Sequence, residues 1–432
     1  MEIITKNNIK KYSTYKNSGV EWLGEIPEHW DLGRLGSILN PVSSKNHPNK
    51  ILLSITREKG VIVRNIENED TNHNFIPDDL TGYKLLKKGQ FGMNKMKAWQ
   101  GSYGVSDYTG IVSPAYYTFE FTKHIEPKFF HIAIRSKLYV SFFGKASDGV
   151  RIGQWDLSKD RMKRIPLAIP PLSEQTKIAK FLDDKTKKID EAIAIKTQQI
   201  NLLKERKQIL IHKAVTRGLD TNVKLKNSGV EWIGEIPVGW EVSRLGLMLT
   251  PYSIKNKPNE TLLSITRELG IIKRDLEDLE SNHNFIPEDL TGYKLIQKGD
   301  FGMNKMKAWQ GSYGVSKFTG IVSPAYYTFK IVDSINPDFF HLAIRSKNYV
   351  PFFGQASDGV RIGQWDLSKD RMKMIPFIIP TLKEQTEILD YIEKSSEKIA
   401  TAIGLKAEEI EKLKEYKSSL INSVVTGKVR VC

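Results

Sequence analysis

The sequence predicts an α+β protein in which two α+β globular domains are separated by two long helices. These helices are predicted to form an antiparallel intramolecular coiled coil with pseudo-two-fold symmetry. Three observations support this prediction: the chain repeats itself without a gap, each copy contains short runs rich in β-branched and aromatic residues, and each copy ends in a long heptad pattern. A chain of 432 residues has room for several domains.

The internal repeat determines the domain organisation. Residues 16–22 return as residues 226–232, an offset of 210 (226 minus 16), and Trp155 and Trp365 keep the same offset. A region repeated in this way folds as the same structural unit twice. The chain is therefore two copies of a globular region followed by a helix.

Each globular part carries patterns of both strand and helix. In the first copy, residues 51–56, 61–64, 110–121 and 165–169 are rich in β-branched and aromatic residues between turn-forming residues, which predicts strands. Residues 129–143 have apolar side chains at helical spacing, which predicts one helix. This mixture is typical of an α+β domain.

Prolines mark the start of the first long helix. Pro166, Pro170 and Pro171 end any helix before Ser173. Ser173 is predicted to cap the long helix, with Glu174 in its first turn.

Each long helix carries a narrow apolar stripe. In the first helix, predicted over residues 174–214, the stripe contains Leu182, Ile189, Ile193, Ile200, Leu203, Leu210 and Ala214. In the second it contains Ile392, Ile399, Ile403, Ile410, Leu413, Leu420 and Val424, and both stripes include lysines, namely Lys196, Lys207, Lys406 and Lys417. Steps of four and three residues form a heptad seam, which needs a partner helix. Two helices lying separately on globular cores are the alternative, but a core helix usually has a wider apolar face.

The connection between the copies predicts the direction of the helices. Residues 216–224 form a short linker, so the second domain begins where the first helix ends and the second helix must run back. The pair is therefore predicted to be antiparallel, and a helix of about 40 residues spans roughly 60 Å. Because residues 1–220 hold one domain and one complete seam, two copies of this fragment are expected to pair through the same heptads.

The charge balance indicates a polyanionic partner. Lysine and arginine outnumber aspartate and glutamate by 65 to 50, which gives a formal charge of +15. Nucleic acid is the first candidate, and a membrane surface is the second. Residues 1–12 are polar and no apolar run has the length of a spanning helix, which disfavours a membrane. The single cysteine, Cys432, excludes an intrachain disulfide and favours a cytoplasmic location.

Two segments differ least between the copies. Residues 91–119 differ from residues 301–329 at two positions, and residues 146–163 are identical to residues 356–373, whereas residues 32–49 differ widely from their counterparts. A shared ligand explains this pattern better than the alternative, a recent recombination event. The candidate DNA-binding residues are Arg57, Asn94, Lys95, Lys97, Trp99, Gln100, Ser102, Tyr103, Arg151 and Gln154, with the counterparts Arg267, Asn304, Lys305, Lys307, Trp309, Gln310, Ser312, Tyr313, Arg361 and Gln364.

These residue types suit a DNA duplex. Lysine and arginine bind phosphates or guanine, asparagine and glutamine pair with adenine edges, and neighbouring glycines let the backbone approach closely. For Trp99 and Tyr103, packing in the core is an equal alternative. For the charged and amide side chains the alternative is a solvated surface, and Arg57 is the weakest candidate.

Sequence signatures of an enzyme are absent. The chain has no Gly-rich phosphate loop followed by Lys-Ser or Lys-Thr, no cysteine and histidine spacing for a metal, and no Gly-x-Gly turn after a strand. Residues 113–116 (SPAY) are similar to the Ser/Asp/Asn-Pro-Pro-aromatic motif of amino-methyltransferases, but the second proline is missing and no cofactor-binding half accompanies them. We therefore interpret them as the start of a strand and predict neither catalytic residues nor metal ligands.

Several motifs together resemble a known family. The run SGVEWLGEIP at residues 18–27, the run IPPLSEQ at 169–175 and the run LIHKAVT at 210–216 resemble the specificity subunit of type I restriction-modification enzymes. The run LINSVVT at 420–426 repeats the last of these. The resemblance covers essentially the whole chain. It implies target recognition domains at residues 1–172 and 218–382 and spacer helices at residues 173–217 and 383–432.

The resemblance also implies a function and a set of partners. A specificity subunit is non-catalytic, recognises a bipartite gapped target in double-stranded DNA, and positions two methyltransferase subunits and the restriction subunits. Adenine-N6 methylation and ATP-dependent cleavage would reside in those partners, together with S-adenosylmethionine, ATP and magnesium. This chain would hold no cofactor of its own.

The two recognition domains depart from the family pattern because they are nearly the same, whereas family members usually carry two dissimilar ones. Like domains on an antiparallel pair of helices favour a gapped palindrome, with half-site centres about 10 bp apart if both domains approach one face of the DNA.

Two other function classes compete with this interpretation. A self-contained DNA methyltransferase or nuclease is disfavoured by the missing cofactor motifs. A coiled-coil scaffold with an incidental basic surface is the other alternative, and salt-sensitive, sequence-selective DNA binding would exclude it.

Overall fold

The computed structural model describes residues 10–65, 76–151, 154–275, 286–361 and 364–431, without the side chains of residues 148–151, 154, 360, 361 and 364. The chain divides into two compact units. Unit 1 contains residues 1–196 and 408–432, and unit 2 contains residues 197–407. Each unit therefore combines one globular part with a portion of each long helix.

Unit 1 is built mainly from short strands. These are β1 (Tyr15–Asn17), β2 (Glu25–Pro27), β3 (Asp31–Arg34), β4 (Leu39–Val42), β5 (Leu53–Thr56), β6 (Gly60–Val63), β7 (Lys84–Leu86), β8 (Phe91–Asn94), β9 (Tyr103–Val105), β10 (Gly110–Val112), β11 (Tyr116–Phe121), β12 (Ser147–Arg151), β13 (Gln154–Leu157) and β14 (Pro166–Ile169). The helices are α1 (Leu35–Ile38), α2 (Pro127–Ile134), α3 (Lys137–Lys145), α4 (Lys159–Lys163) and the long α5 (Leu172–Arg217), with a 3-10 helix at Lys95–Gln100. The central element is a four-stranded antiparallel sheet in the order β4-β11-β8-β9.

Unit 2 repeats this arrangement. Its strands are β15 (Leu225–Asn227), β16 (Glu235–Pro237), β17 (Glu241–Arg244), β18 (Leu249–Tyr252), β19 (Leu263–Thr266), β20 (Gly270–Lys273), β21 (Lys294–Ile296), β22 (Phe301–Asn304), β23 (Tyr313–Val315), β24 (Gly320–Val322), β25 (Tyr326–Ile331), β26 (Ser357–Arg361), β27 (Gln364–Leu367) and β28 (Pro376–Ile379). Its helices are α6 (Leu245–Met248), α7 (Pro337–Ile344), α8 (Val350–Gln355), α9 (Lys369–Lys373) and the long α10 (Leu382–Val425), with a 3-10 helix at Ala308–Gln310. The four-stranded sheet again has the equivalent order, β18-β25-β22-β23.

The predicted mixture of strands and helices is confirmed, with three local corrections. Residues 110–121 form two strands, because a turn closed by the Tyr116 amide on the Ser113 carbonyl (2.9 Å) separates β10 from β11. Residues 129–143 form parts of two helices, because Ser136 is extended (φ −63°, ψ 149°). Ser173 is not the helix cap, because α5 begins at Leu172.

Each core includes the ends of both long helices. In unit 1 the buried cluster around Trp30 contains Ile178 and Leu182 of α5 together with Val424 and Val425 of α10. In unit 2 the cluster around Trp240 contains, in the same way, Ile211, Ala214 and Val215 of α5 with Ile388 and Ile392 of α10. Neither globular core is therefore complete without the end of a helix that begins elsewhere in the chain.

A carboxylate in the first turn of α5 joins this helix to its globular part. Glu174 accepts hydrogen bonds from the Trp30 indole (3.1 Å) and the Tyr12 hydroxyl (3.1 Å), and it contacts His29 (2.6 Å). Burial raises the pKa of Glu174, but these hydrogen bonds outweigh it and leave the pKa below its ordinary value. Glu384 of α10 accepts from Trp240 in the same way, at 2.9 Å.

The long helices pack together in antiparallel register. In unit 1, Lys417 of α10 contacts Asp190 of α5 (2.7 Å), and Lys196 of α5 contacts Glu409 of α10 (2.5 Å). The partner's number falls along α10 as the residue number rises along α5, which confirms the predicted direction. Two of the seam lysines thus find a carboxylate on the opposite helix.

The fragment of residues 1–220 provides a test of this pairing. In a dimer of the fragment, a second copy of α5 takes the place of α10. At the offset of 210, Lys207 then replaces Lys417 opposite Asp190, so this ion pair is kept. Gln199 replaces Glu409, so Lys196 loses its carboxylate partner. We expect a concentration-dependent dimer in sedimentation equilibrium. Gln199→Glu should tighten it about 2- to 30-fold, because it restores two exposed ion pairs worth about 0.2–1 kcal/mol each. Monomers of both fragments at high concentration would contradict this pairing.

Candidate nucleic-acid interface

The candidate residues at 94–103 form one continuous segment between β8 and β9, which we call the recognition loop. The Asn94 side chain accepts a hydrogen bond from the Met96 amide (3.2 Å) and so caps the 3-10 helix that follows β8. Gly101 ends this helix with φ +91°, a conformation that favours glycine. The loop leaves Lys97 exposed and Gln100 half-buried.

The second candidate segment packs against the recognition loop. The rings of Trp99 and Trp155 lie 5.0 Å apart, and Lys95 Nζ lies 2.9 Å from Asp156 Oδ2. Unit 2 has the same contacts, with 5.1 Å between Trp309 and Trp365 and 2.9 Å between Lys305 and Asp366. The two segments that differ least between the copies therefore meet in space.

Strands β12 and β13 form a hairpin in unit 1, and β26 and β27 form the equivalent hairpin in unit 2. Four candidate residues on these hairpins are placed only by their backbone. Arg151 ends β12 and Gln154 begins β13, as Arg361 and Gln364 do in β26 and β27. Their side chains lie outside the described part of the structure. They stay predicted DNA contacts. Each pair lies on a hairpin that packs against the recognition loop of its unit through a pair of tryptophans.

Three candidates in each copy lie inside the protein. Tyr103 has no exposed surface, and its ring packs 4.3 Å from that of Phe143. Asn94 and Ser102 are also buried, and the same holds for their counterparts Tyr313, Asn304 and Ser312. We correct these six residues to core and capping residues and leave them out of the proposed contact set.

Trp99 and Trp309 are intermediate cases. Each ring is half-buried against its partner tryptophan, and each indole N–H is buried with no acceptor among the described residues. The packing of the two segments against each other accounts for the position of these tryptophans. Most of each ring is therefore part of the core, as the alternative in the sequence analysis predicts.

One arginine that the sequence analysis missed joins the recognition loop to a third segment. Arg135 Nη1 donates to the carbonyls of Gly101 (3.1 Å) and Tyr103 (2.6 Å), and Nη2 donates to those of Arg57 (2.7 Å) and Glu58 (2.9 Å). Arg345 makes the same four contacts in unit 2. The weakest sequence candidate, Arg57, is thereby held next to the recognition loop, although its side chain pairs with Glu58 (2.8 Å).

A half-buried histidine, His131, contacts strand β9, which follows the recognition loop. His131 Nδ1 accepts a hydrogen bond from the Val105 amide (3.2 Å), which requires a neutral ring. Burial, followed by the charge of Arg135, lowers the pKa of His131 to about 4. Gly60 and Gly104 leave room for this ring, because a Cβ at either position would lie about 3 Å from it.

The exposed side chains of the assembled surface are of types that contact DNA. Exposed Lys97 and Arg57 can bind phosphate or guanine, and Gln100 can pair with an adenine edge. Among the described residues, no group of three His, Cys, Asp or Glu side chains could hold a metal ion. The SPAY motif at residues 113–116 forms the turn that leads into β11, in agreement with its interpretation as a strand start.

Comparisons with known proteins show which proteins this chain is similar to. A family model described as the type I restriction modification DNA specificity domain matches residues 27–205. The provisionally named MjaX specificity subunit of a type I restriction enzyme from Methanocaldococcus jannaschii is 25% identical over 443 residues, which cover 95% of this chain and 96% of that protein. The MjaVIII specificity subunit of the same organism is 27% identical over 311 residues, or 68% of this chain and 69% of that protein.

Residues 27–205 of this chain are thus similar to the type I specificity domain, and both of these relatives are specificity subunits.

Solved structures share the fold of this chain. A chain of a type I restriction-modification system matches with a TM-score of 0.64 at 14% identity, covering 93% of this chain and 98% of that chain. The HsdS subunit from Thermoanaerobacter tengcongensis matches with a TM-score of 0.52 at 14% identity, over 94% and 98% of the two chains. Within the described part of this chain, no helix has the length and apolar character needed to cross a membrane.

Substitution of the half-buried Arg135 tests how the recognition loop is held. In Arg135→Lys the planar guanidinium is lost, and leaving even one buried carbonyl without a donor costs about 1–3 kcal/mol. We expect a lower Tm in calorimetry and faster tryptic cleavage after Arg57 and Lys97. The exposed Arg217→Lys is the control, and a wild-type Tm together with wild-type cleavage rates for Arg135→Lys would contradict this role.

Proposed function

We propose that this chain is the non-catalytic subunit that reads DNA sequence for a type I restriction-modification enzyme. The observation that supports this proposal most is the meeting of the recognition loop with the β12–β13 hairpin in unit 1, and of identical segments in unit 2. Both copies combine exposed basic side chains with amide side chains, the types that contact phosphates and base edges.

The proposed contact residues follow from their exposure. Lys97, Gln100 and Arg57 of unit 1 are accessible, as are Lys307, Gln310 and Arg267 of unit 2. Lys95 and Lys305 lie at the edge of the same surface, each paired with an aspartate. Arg151, Gln154, Arg361 and Gln364 complete the proposed set.

The same proposal defines the partners. Two methyltransferase subunits and the restriction subunits would assemble with this chain on double-stranded DNA in the cytoplasm, where the DNA lies. S-adenosylmethionine, ATP and magnesium would be bound by those partners, which would carry out adenine-N6 methylation and DNA cleavage. The role of this chain is to position them at the target.

The target is proposed to be bipartite, gapped and palindromic. Two recognition surfaces with the same side chains must prefer the same bases. On the antiparallel helix pair predicted from the sequence, two such surfaces present the half-sites inverted. This proposal differs from the asymmetric target that two dissimilar domains would require.

Matched substitutions in the two copies test the proposed reading residues. Gln100→Ala and Gln310→Ala should each weaken binding to the target by about 1–3 kcal/mol, because each removes a bidentate base contact. Arg151→Ala and Arg361→Ala should likewise weaken binding by amounts similar to each other. Binding is measured at fixed salt for the chain assembled with its methyltransferase subunits, on target and scrambled duplexes.

The exposed Gln198→Ala on α5 is the control, with wild-type binding expected. Unchanged affinity and unchanged site preference in all four variants would remove these segments from the interface. Methylation of DNA by the purified chain with S-adenosylmethionine alone would instead support a self-contained methyltransferase.

A further inference from the structure

A group of lysines beside each recognition loop is not explained by base reading. In unit 1 its members are Lys45, Lys84, Lys95 and Lys159, and in unit 2 they are Lys255, Lys294, Lys305 and Lys369. We call each group a lysine cluster. Only Lys95 and Lys305 belong to the contacts proposed above.

In each cluster, two of the lysines lie near the ring of one tyrosine of the central sheet. Tyr117 of β11 lies opposite Met93 of β8, just before the chain enters the recognition loop. Lys159 Nζ lies 4.4 Å from the centroid of the Tyr117 ring, and Lys84 Nζ lies 6.0 Å from it. The corresponding distances to Tyr327 in unit 2 are 4.4 and 5.9 Å. The lysine cluster therefore borders the surface that carries Lys97 and Gln100.

The positive charges in this cluster exceed the negative charges nearby. Burial, then the ammonium groups of Lys159, Lys45 and Lys95, keep the pKa of Lys84 below its ordinary value. Asp156 pairs with Lys95 at 2.9 Å. In the described part of the chain the other three lysines make no ion pair, and Lys84 Nζ donates to the Tyr116 carbonyl at 2.7 Å. An anion that bound there would reduce the repulsion among these ammonium groups.

The two copies keep some exposed lysines, such as Lys16 and Lys88, and lose others. Several exposed lysines outside the cluster have lost their charge in the second copy. The changes are Lys59 to Leu269, Lys87 to Gln297, Lys123 to Asp333, Lys128 to Asp338 and Lys145 to Gln355. All four cluster lysines are kept. Lys45 is kept even though Ser44 has become Ile254 and His47 has become Lys257.

Unit 2 contains a cleft at this position. Lys294, Lys369 and the ring of Tyr327 line it, together with Tyr252, and its volume is about 280 Å³. An ammonium group that lies over an aromatic ring keeps N–H donors for a second partner. The cleft can thus admit a phosphate group next to two of the four lysines.

We propose that each lysine cluster binds backbone phosphates of the DNA strand next to the half-site that the same unit reads. The inference rests on the proposed function, because it assumes that the recognition loop lies on DNA. Phosphate contacts add affinity and salt dependence without adding base preference. The clusters would therefore hold the chain on DNA of any sequence, while the recognition loops select the target.

Exposed members of the clusters provide the test. The variant Lys45→Gln, Lys159→Gln, Lys255→Gln, Lys369→Gln leaves the half-buried Lys84 and Lys294 in place, which protects the fold. The control is Lys16→Gln with Lys226→Gln, which removes charge from the exposed hairpin that opens each repeat. Affinity of the chain, assembled with its methyltransferase subunits, is measured against salt for a target duplex and for a duplex with scrambled half-sites.

We expect the variant to bind both duplexes more weakly by the same factor, with an unchanged ratio between them. Four lost phosphate contacts reduce the salt slope by about 3.6, so between about 50 and 200 mM salt the wild type should lose roughly 100-fold more affinity than the variant. An unchanged slope, or a slope change no larger than in the control, would overturn the proposal.

Two further outcomes are distinguishable. Loss of assembly with the methyltransferase subunits in sedimentation, with DNA affinity unchanged, would assign the clusters to an acidic protein surface and overturn the DNA proposal. Equal affinity of the wild type for target and scrambled duplexes would contradict the proposed sequence reading. In that case the salt slopes would still decide whether the lysine clusters bind phosphate.

Discussion

Neither long helix can bury its apolar stripe without a partner. The stripe of α5 is one seam wide and interrupted by lysines, so an isolated helix would leave its isoleucines in water. Pairing with α10 buries Ile189, leaves the seam residues in the middle of the helix half-buried, and gives Lys196 a carboxylate on the opposite helix. The same pairing brings the end of each helix into a globular core, where Val424 and Val425 or Ala214 and Val215 become buried. The residues that end each helix are therefore also part of a globular core.

The packed core of each unit supports its recognition loop, and the residues of the loop differ in how deeply they are buried. Tyr103 and Ser102 fill the interior, Arg135 joins two segments through four backbone carbonyls, and the tryptophan pair joins the loop to the hairpin. Only the outermost side chains are left to contact a ligand. Binding groups held by such a support lose little conformational freedom on binding.

Sequence patterns predicted the parts of the fold that depend on local periodicity. The strands near residues 51–64, the long helices and their antiparallel direction follow from spacing, proline positions and a short linker. The single helix predicted at residues 129–143 was wrong because the extended backbone of Ser136 separates two helices, and Arg135 at this break contacts carbonyls that lie far away in sequence. No local pattern records contacts over such separations.

The candidate site shows the same limit. An aromatic residue in a glycine-rich run has the same sequence pattern in a core as in an interface. The sequence therefore could not show whether Tyr103 is a buried core residue or an exposed DNA-contacting residue. Charged and amide residues were less ambiguous, and Lys97 and Gln100 remain accessible. The lysine clusters were missed because Lys45, Lys84 and Lys159 come together only through the sheet.

The central claim is that one chain carries two equivalent DNA-reading surfaces. Long-read methylation mapping of the source genome tests it most directly, because the methylated motif records both half-sites and the gap between them. We expect a single gapped palindrome that disappears when this subunit is deleted. A motif with two unrelated half-sites, or no methylation that depends on this subunit, would contradict the claim.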